Sequence, residues 1–556
     1  MKKRLLAVFI PIVVLSVIGY FAFYNWLTLK PPVPADLSVL QKQVEKRSDS
    51  LSVIGASWLH QNDKGLWEMY TEGKAFERGV IAGKLTKGLI QYQEKAFIDR
   101  IGELIPSASY QRFLRLLIAV FNRGIDKYIP QEYLQEIYGI SFSASDDFDY
   151  VGPKYDRILH YHGAHDIGHM LQNYNLVGCT SFAVWGDKSA DSGLLIGRNF
   201  DFYVGDEFAE NKIIQFCRPD SGYGFMMITW GGMCGTVSGM NEKGLTVTLN
   251  AGKSAIPFSV AEPVSLIARE ILQFASDINE AYAIAKQKSC FVSESFLIGS
   301  ATDRRAAVIE KSPYMTSLYS PAGNQLICTN HFQSDEFRKD SMNSLHIRRS
   351  ASLYRYQRVQ QLLDRYDSLS VVDAALVLRD MKGMNDRDIG MGNEKAVNQL
   401  IAHHSVIFEP EKCLVWISAG PYQIGEYICY DLKQVLNDPK MIYAQSQIYK
   451  KDLTLPPDPF LGGQEWRKFL EYRALSRKIS AAAKTGDNKI TDADIEILIS
   501  SNPAYYHTYE LCGDYYMPTG CSVNADKFYR KALEMEIPTM DEKERIENKL
   551  KENTKR

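Results

Sequence analysis

The chain has 556 residues, 23% of them charged, and 64 Lys plus Arg nearly balance 66 Asp plus Glu for a formal net charge of -2. That balance excludes an electrostatic nucleic-acid binder, and 45% hydrophobic residues with 38 Gly and 21 Pro exclude disordered, collagenous and multi-span membrane chains. At roughly 100 to 200 residues per domain, more than one folding unit is expected. Nine Cys are too sparse for a disulfide scaffold, and the odd count leaves at least one thiol unpaired if no partner chain is involved.

Residues 1–30 read as a signal-anchor or signal peptide. Lys2, Lys3 and Arg4 precede an apolar run from Leu5 to Leu27, long enough at about 1.5 Å per residue to cross a bilayer core of about 30 Å. Tyr20, Tyr24 and Trp26 resemble an interfacial aromatic belt, which favours an uncleaved membrane anchor with the rest of the chain outside the cytoplasm. Val33-Pro34-Ala35 is the alternative, a cleavage site that would release a secreted protein.

Residues 31–178 read as a helical pro-segment, with apolar residues at three- and four-residue spacing in Gln91–Ile98 and Phe113–Leu117. From Cys179 the period changes to short β-rich runs, Ser181–Trp185, Leu194–Ile196, Ile213–Phe216 and Leu245–Leu249, separated by Gly, Asp or Asn turns. Helical spacing returns over 262–289 and 353–382, and strands resume at Phe296–Ile298, Ala306–Ile309, Ser405–Phe408 and Leu414–Ile417. This order predicts a layered α+β catalytic domain over 179–440. Residues 441–556 read as a polar helical C-terminal region with room for one helical hairpin within 500–535, and Cys512 and Cys521 there could pair.

The informative stretch is Gly178-Cys179-Thr180-Ser181-Phe182, followed by Gly197-Arg198-Asn199-Phe200-Asp201. A lone Cys entering a strand is most often a small buried hydrophobe. Here a Gly precedes it, and antiparallel pairing through the turn at Lys188–Gly193 would bring Arg198 and Asp201 alongside Cys179.

This arrangement resembles the cysteine N-terminal nucleophile hydrolases: the penicillin acyltransferase-like peptidases, with choloylglycine hydrolases and acid ceramidase-like amidases as cousins. The resemblance continues in Asn241-Glu242-Lys243-Gly244-Leu245, similar to a family hairpin that closes on Asn250, then in Thr329-Asn330-His331, and in Tyr354-Arg355-Tyr356-Gln357-Arg358, similar to a late arginine taken as Arg355. It implies a four-layer αββα fold, self-cleavage between Gly178 and Cys179, and a free α-amine that serves as base for the adjacent thiol. An α-amine of pKa about 7.7 to 8.0 is a competent acceptor for a thiol of about 8.5. Arg198 would hold the thiolate, Asp201 would orient the nucleophile, and the amides of Asn250 and Asn330 would stabilise an oxyanion.

The implied activity is hydrolysis of a non-peptide C–N amide bond in a small acyl-amide substrate through an acyl-thioester on Cys179, without cofactor or metal. An acyltransferase using an amine acceptor is the near alternative, and an inactive envelope binding or scaffold protein of the same fold is the distant one. His160, His162, His165 and His169 invite a metal reading, but no HExxH is present and Asp166 directly follows His165. A Cys179–His331 thiol-protease dyad is conceivable, and Gly231-Gly232-Met233-Cys234-Gly235 lacks the Lys-Ser/Thr of a phosphate loop.

Overall fold

The computed structural model describes residues 18–19, 23, 26–105, 107–163, 178–202, 205–255, 260–485 and 490–554. Most of the apolar run Leu5–Leu27 lies outside them. Among the described residues no helix is long and apolar enough to cross a membrane, and the transmembrane reading is withdrawn on that finding.

The chain upstream of Cys179 is not the helical segment that its spacing predicts. It opens with four strands, β1 (Glu45–Lys46), β2 (Leu51–Ile54), β3 (Ser57–Gln61) and β4 (Trp67–Gly73), before helices α1 (Ala75–Leu85), α2 (Lys87–Leu104), α3 (Ala108–Phe121), α4 (Gln131–Ser141) and α5 (Lys154–His162). Gly55, at φ +62°, turns β2 back on β3, a conformation that glycine adopts at little cost. The β-branched pair Val53-Ile54 and the buried Trp58 suit a pleated surface better than a helix.

Downstream, β5 (Thr180–Val184), β6 (Leu195–Phe200), β7 (Ile213–Pro219), β8 (Phe225–Thr229), β9 (Ser238–Asn241) and β10 (Leu245–Ala251) lead into α6 (Val264–Phe274) and α7 (Ile278–Gln287). Next come β11 (Glu294–Ser300), β12 (Arg305–Lys311), β13 (Thr316–Tyr319) and β14 (Gln325–Cys328), then α8 (Ser352–Leu363) and α9 (Val371–Leu378). The strands close with β15 (His404–Glu409), β16 (Leu414–Ser418), β17 (Tyr427–Asp431) and β18 (Lys450–Leu455).

They form two sheets. One has 11 strands in the order β1-β2-β3-β4-β7-β8-β9-β10-β11-β12-β13, and the other has 7 in the order β14-β5-β6-β15-β16-β17-β18. The pairing β4 with β7 is parallel, from Trp67 opposite Ile213 to Gly73 opposite Pro219. This seven-residue ladder welds the upstream segment to the strands that follow Cys179.

Side chains alternate across each sheet with period two. Met226 and Leu297 of the larger sheet meet Ile196, Val406 and Ile428 of the smaller one in the core between them. Their neighbours Phe225, Met227, Phe296 and Ile298 face the other way, onto α6 and α7 through Ile267, Ile271 and Ala281. On the smaller sheet, Phe182, Ile407 and Trp416 pack against Val359, Leu362 and Val377 of α8 and α9.

Strand β18 carries pairing past residue 440, so the smaller sheet runs beyond the boundary placed there from the sequence. Beyond it, α10 (Gln464–Thr485), α11 (Asp492–Ser501), α12 (Tyr506–Tyr516), α13 (Ser522–Leu533) and α14 (Met540–Thr554) gather a core of their own around Leu498, Cys512, Tyr529 and Ile546. The expected hairpin within 500–535 is α12 and α13. Cys512 is buried, Cys521 is exposed, and both are free thiols rather than the disulfide that their positions suggested.

Candidate active site

The site lies where the two sheets meet at the start of β5. Thr180 pairs with Asn199 and Ser181 with Arg198 in the antiparallel β5–β6 ladder, and one step further the Gly178 N–H donates to the Asp201 carbonyl at 2.9 Å. This pairing brings Cys179, Arg198 and Asp201 together. All three are buried. The Cys179 Sγ accepts from Arg198 Nη2 at 3.8 Å and lies 3.8 Å from the Asp201 carbonyl oxygen, to which its S–H donates.

Arg198 spans the gap between the sheets. Its Nη1 donates to Ser238 Oγ at 2.6 Å and to His404 Nε2 at 3.1 Å, and its Nη2 donates to the Leu249 carbonyl. An arginine so held is fixed in position rather than free to follow the thiol.

Asn250 lies one residue before the end of β10, reached through the β9–β10 hairpin in which Thr248 pairs with Ser238. The turn holds Gly244 at φ +74°, where a Cβ would come 2.5 Å from the Pro410 carbonyl oxygen, so glycine is required there. Asn250 Nδ2 donates to the Cys328 carbonyl and its Oδ1 accepts from Ser181 Oγ at 2.8 Å. Asn330, just past β14, donates to the Ala251 carbonyl at 3.0 Å. Both amides therefore bind backbone carbonyls.

Arg355 reaches the site from α8. Its Nη1 donates to the carbonyls of Gly178 (2.8 Å) and Cys179 (2.7 Å) and to Thr180 Oγ1, while its Nη2 donates to Asn330 Oδ1. Arg358, one turn on, pairs instead with Asp380 and Asp386. The register that selects Arg355 from Tyr354–Arg358 is thus the one that reaches Cys179.

Electrostatics of the site oppose a thiolate. Burial pushes the Cys179 thiol up to about 11 against the lowering effect of Arg198, and Asp201 pushes it further up. Burial also raises the Asp201 carboxyl to about 7, although Arg355 and Arg198 pull it down. The thiol is therefore protonated at neutral pH, and a carboxylate that exchanges its proton near neutrality stands beside it.

His331 is not paired with Cys179. Its Nδ1 bonds Thr329 Oγ1 and Ser352 Oγ, and burial with the neighbouring Arg355 lowers it to about 4. The dyad reading loses its base. Of the histidine cluster, His162 donates from Nδ1 to the Ile158 carbonyl and accepts the Cys234 N–H at Nε2, the bonds of a packing residue. His165 and His169 lie outside the described residues.

Two buried glutamines in this site escaped the sequence reading. Gln399 Nε2 donates to the Gly178 carbonyl at 2.7 Å and approaches Asp201 Oδ2 at 3.5 Å. Gln423 Nε2 donates to Asp201 Oδ1 at 3.4 Å. Gln399 comes from a loop and Gln423 from the short 3-10 turn Pro421–Gln423, where no periodicity marks them; the signal in the structure is backbone strain, Leu400 at φ +53° and Gln423 at φ +66°.

Residues 188–421 match the sequence model of the family described as acyl-coenzyme A:6-aminopenicillanic acid acyl-transferase. An uncharacterised protein of Archaeoglobus fulgidus is 26% identical over 344 residues, which cover 55% of this chain and 56% of that protein; the chain thus spans about half the length of this curated relative. Among solved structures, a Caenorhabditis elegans N-acylethanolamine-hydrolyzing acid amidase ortholog is similar at 17% identity and a TM-score of 0.30, covering 42% of this chain and 93% of that one. A mutant conjugated bile acid hydrolase from Clostridium perfringens is similar at 14% identity and a TM-score of 0.32, covering 46% and 93%. The similarity to the acyl-transferase family thus spans residues 188–421, less than half of the chain.

Proposed function

We propose that the protein is a self-processing amidohydrolase that cuts at Gly178–Cys179 and then cleaves non-peptide C–N bonds of small acyl-amides through a thioester on Cys179. The paired sheets and their helical covers are read as the four-layer αββα sandwich that this chemistry uses elsewhere in the family. The observation that carries the proposal is the burial of the Cys179 thiol between Arg198 and the Asp201 carbonyl, with Arg355 bonded to the Gly178 carbonyl next to it. Salt-bridge scaffolding alone gives no reason to bury two arginines around a thiol and a glycine carbonyl.

In the proposed cycle the α-amine freed by self-cleavage takes the thiol proton, Sγ attacks the substrate carbonyl, and the amine product leaves with that proton. Arg198 holds the developing thiolate, Asp201 orients the nucleophile, and the amides of Asn250 and Asn330 turn to the oxyanion once the scissile peptide has gone. Water resolves the thioester in a hydrolase and an amine resolves it in an acyltransferase. The family match supports testing both acceptors. A location outside the cytoplasm belongs to the same proposal and rests on the basic residues Lys2, Lys3 and Arg4 and the apolar run after them.

Denaturing gels of the wild type and Cys179→Ala test the reading. The wild type is expected as two fragments divided before Cys179, and the variant as one inactive chain. A single wild-type chain would favour the scaffold alternative. The pH profile of self-cleavage adds a second test: if Asp201 accepts the thiol proton, the rate rises as its carboxyl ionises through about pH 7. That inflection is expected to be absent in Asp201→Asn.

A further inference from the structure

The Gly178 carbonyl is the atom on which self-cleavage would build negative charge, and it already accepts two hydrogen bonds from side chains. One comes from Arg355 Nη1 at 2.8 Å and the other from Gln399 Nε2 at 2.7 Å. Gln399 is buried, and its fit to Gly178 is close: a Cβ at 178 would stand 2.2 Å from Nε2 and 2.5 Å from Oε1. Real side chains do not approach so closely, so the glycine and the glutamine amide occupy one shared space.

The loop that carries Gln399 is built to hold it. Asn398 receives nothing from solvent: its N–H donates to the Asp380 carbonyl, its Nδ2 donates to the Tyr422 carbonyl, and its Oδ1 accepts the Leu400 N–H at 2.9 Å. Leu400 is kept at φ +53°, a conformation that a leucine holds only when its surroundings over-determine it. Those surroundings are an apolar cluster of Leu400, Ile424 and Phe469, the last from α10 of the C-terminal helices. Strain here is maintained from both sides of the glutamine.

We propose that Gln399, with Arg355, forms the oxyanion cradle for self-cleavage at Gly178–Cys179. This rests on the self-processing reading and adds a residue and a role to it. Cys179 Sγ attacks the Gly178 carbonyl carbon, and the carbonyl π pair moves onto the oxygen between the two donors. The C–N bond then breaks, the departing Cys179 nitrogen gains the proton that the thiol gave up, and a Gly178 thioester remains. One water hydrolyses it to the Gly178 carboxylate and the free thiol. Two preorganised donors at the oxygen stabilise the oxyanion more than the ground-state carbonyl, and loss of one such donor typically slows reaction about 100- to 1,000-fold. In contrast to Asn250 and Asn330, which bind other backbone carbonyls in the uncleaved chain, Gln399 is in place before cleavage begins.

Pulse–chase gels of the full chain made by cell-free translation read the rate directly. Gln399→Met keeps length and removes the donor, and self-cleavage is expected to slow at least about 100-fold. Gln399→Glu supplies a donor only when protonated, so its rate relative to wild type is expected to climb as the pH falls from about 8 to about 5. A residue that merely packs would not give that climb, and the Glu variant also answers the question if the Met variant fails to fold. Gln399→Met cleaving at the wild-type rate, or a flat Glu-to-wild-type ratio across that range, overturns the proposal while the self-processing reading stands. If wild type and Cys179→Ala behave alike, both whole or both cut, the self-processing reading falls and takes this proposal with it.

Discussion

The segments that flank residues 179–440 both read as helical in the sequence, yet they attach to the strands between them in opposite ways. The upstream segment enters the fold: β1 to β4 extend the larger sheet, Trp58 and Tyr70 lie in the core between the sheets, and Glu68 bonds Tyr430 across that core. The C-terminal helices keep a separate core around Leu498 and Tyr529 and touch the domain through side chains. Examples are Arg473 with Asp206, Lys395 with Glu536 and Arg349 with Asp541. A backbone ladder and a shared core make one folding unit; a few ion pairs and an apolar patch make an attachment.

Deleting residues 36–178 would break the comparison most severely, because it strips β7 of its parallel neighbour and exposes the inter-sheet core. No soluble, folded catalytic fragment is expected, whereas a chain ending before Gln464 is expected to keep a cooperative melting transition; circular dichroism of both deletions checks this. For the same reason the two fragments of the processed wild type should co-elute in size-exclusion chromatography and part only in denaturant.

Glu136 of α4 gives the next effect. It lies fully enclosed between Arg78 of α1 at 2.8 Å and Arg269 of α6 at 3.5 Å, so it ties the upstream segment to the catalytic helices. Glu136→Gln leaves two buried guanidinium groups under-paired and is expected to cost about 3 to 5 kcal/mol in denaturant unfolding.

At the other junction Phe469→Ala opens the cluster that holds Leu400, for about 3 kcal/mol. It is also expected to slow self-cleavage through the Gln399 loop, measured on the same gels. Arg349→Ala removes an exposed contact to Asp541 and Glu544 and should leave the melting temperature unchanged within error.

What the sequence made legible is the local part of this design. Cys179, Arg198 and Asp201 lie within one β-hairpin, where strand register alone predicts their meeting. Asn250 follows from the turn chemistry of Asn241–Gly244. Arg355 is more remote, and the family pattern rather than any period points to it. The strands β1 to β4 were missed because β2 and β3 have only 4 and 5 residues, too short for a clear period, and the ladder that joins β4 to β7 is remote in sequence. Gln399 and Gln423 were missed because each lies in irregular backbone, beside or at a positive φ, where no hydrophobic period marks it.

One expectation changes with the geometry. Sequence gives Arg198 the single role of holding the thiolate, but its bonds to Ser238, His404 and Leu249 make Arg198→Gln a structural lesion as well.

The most direct test of the account is the intact mass of the purified full-length protein, taken after denaturation. The account predicts two masses that sum to the chain plus one water, the larger beginning at Cys179, and a single undivided mass for Cys179→Ala. A wild-type mass equal to the undivided chain, or a division at Gly178–Cys179 that survives Cys179→Ala, would contradict it.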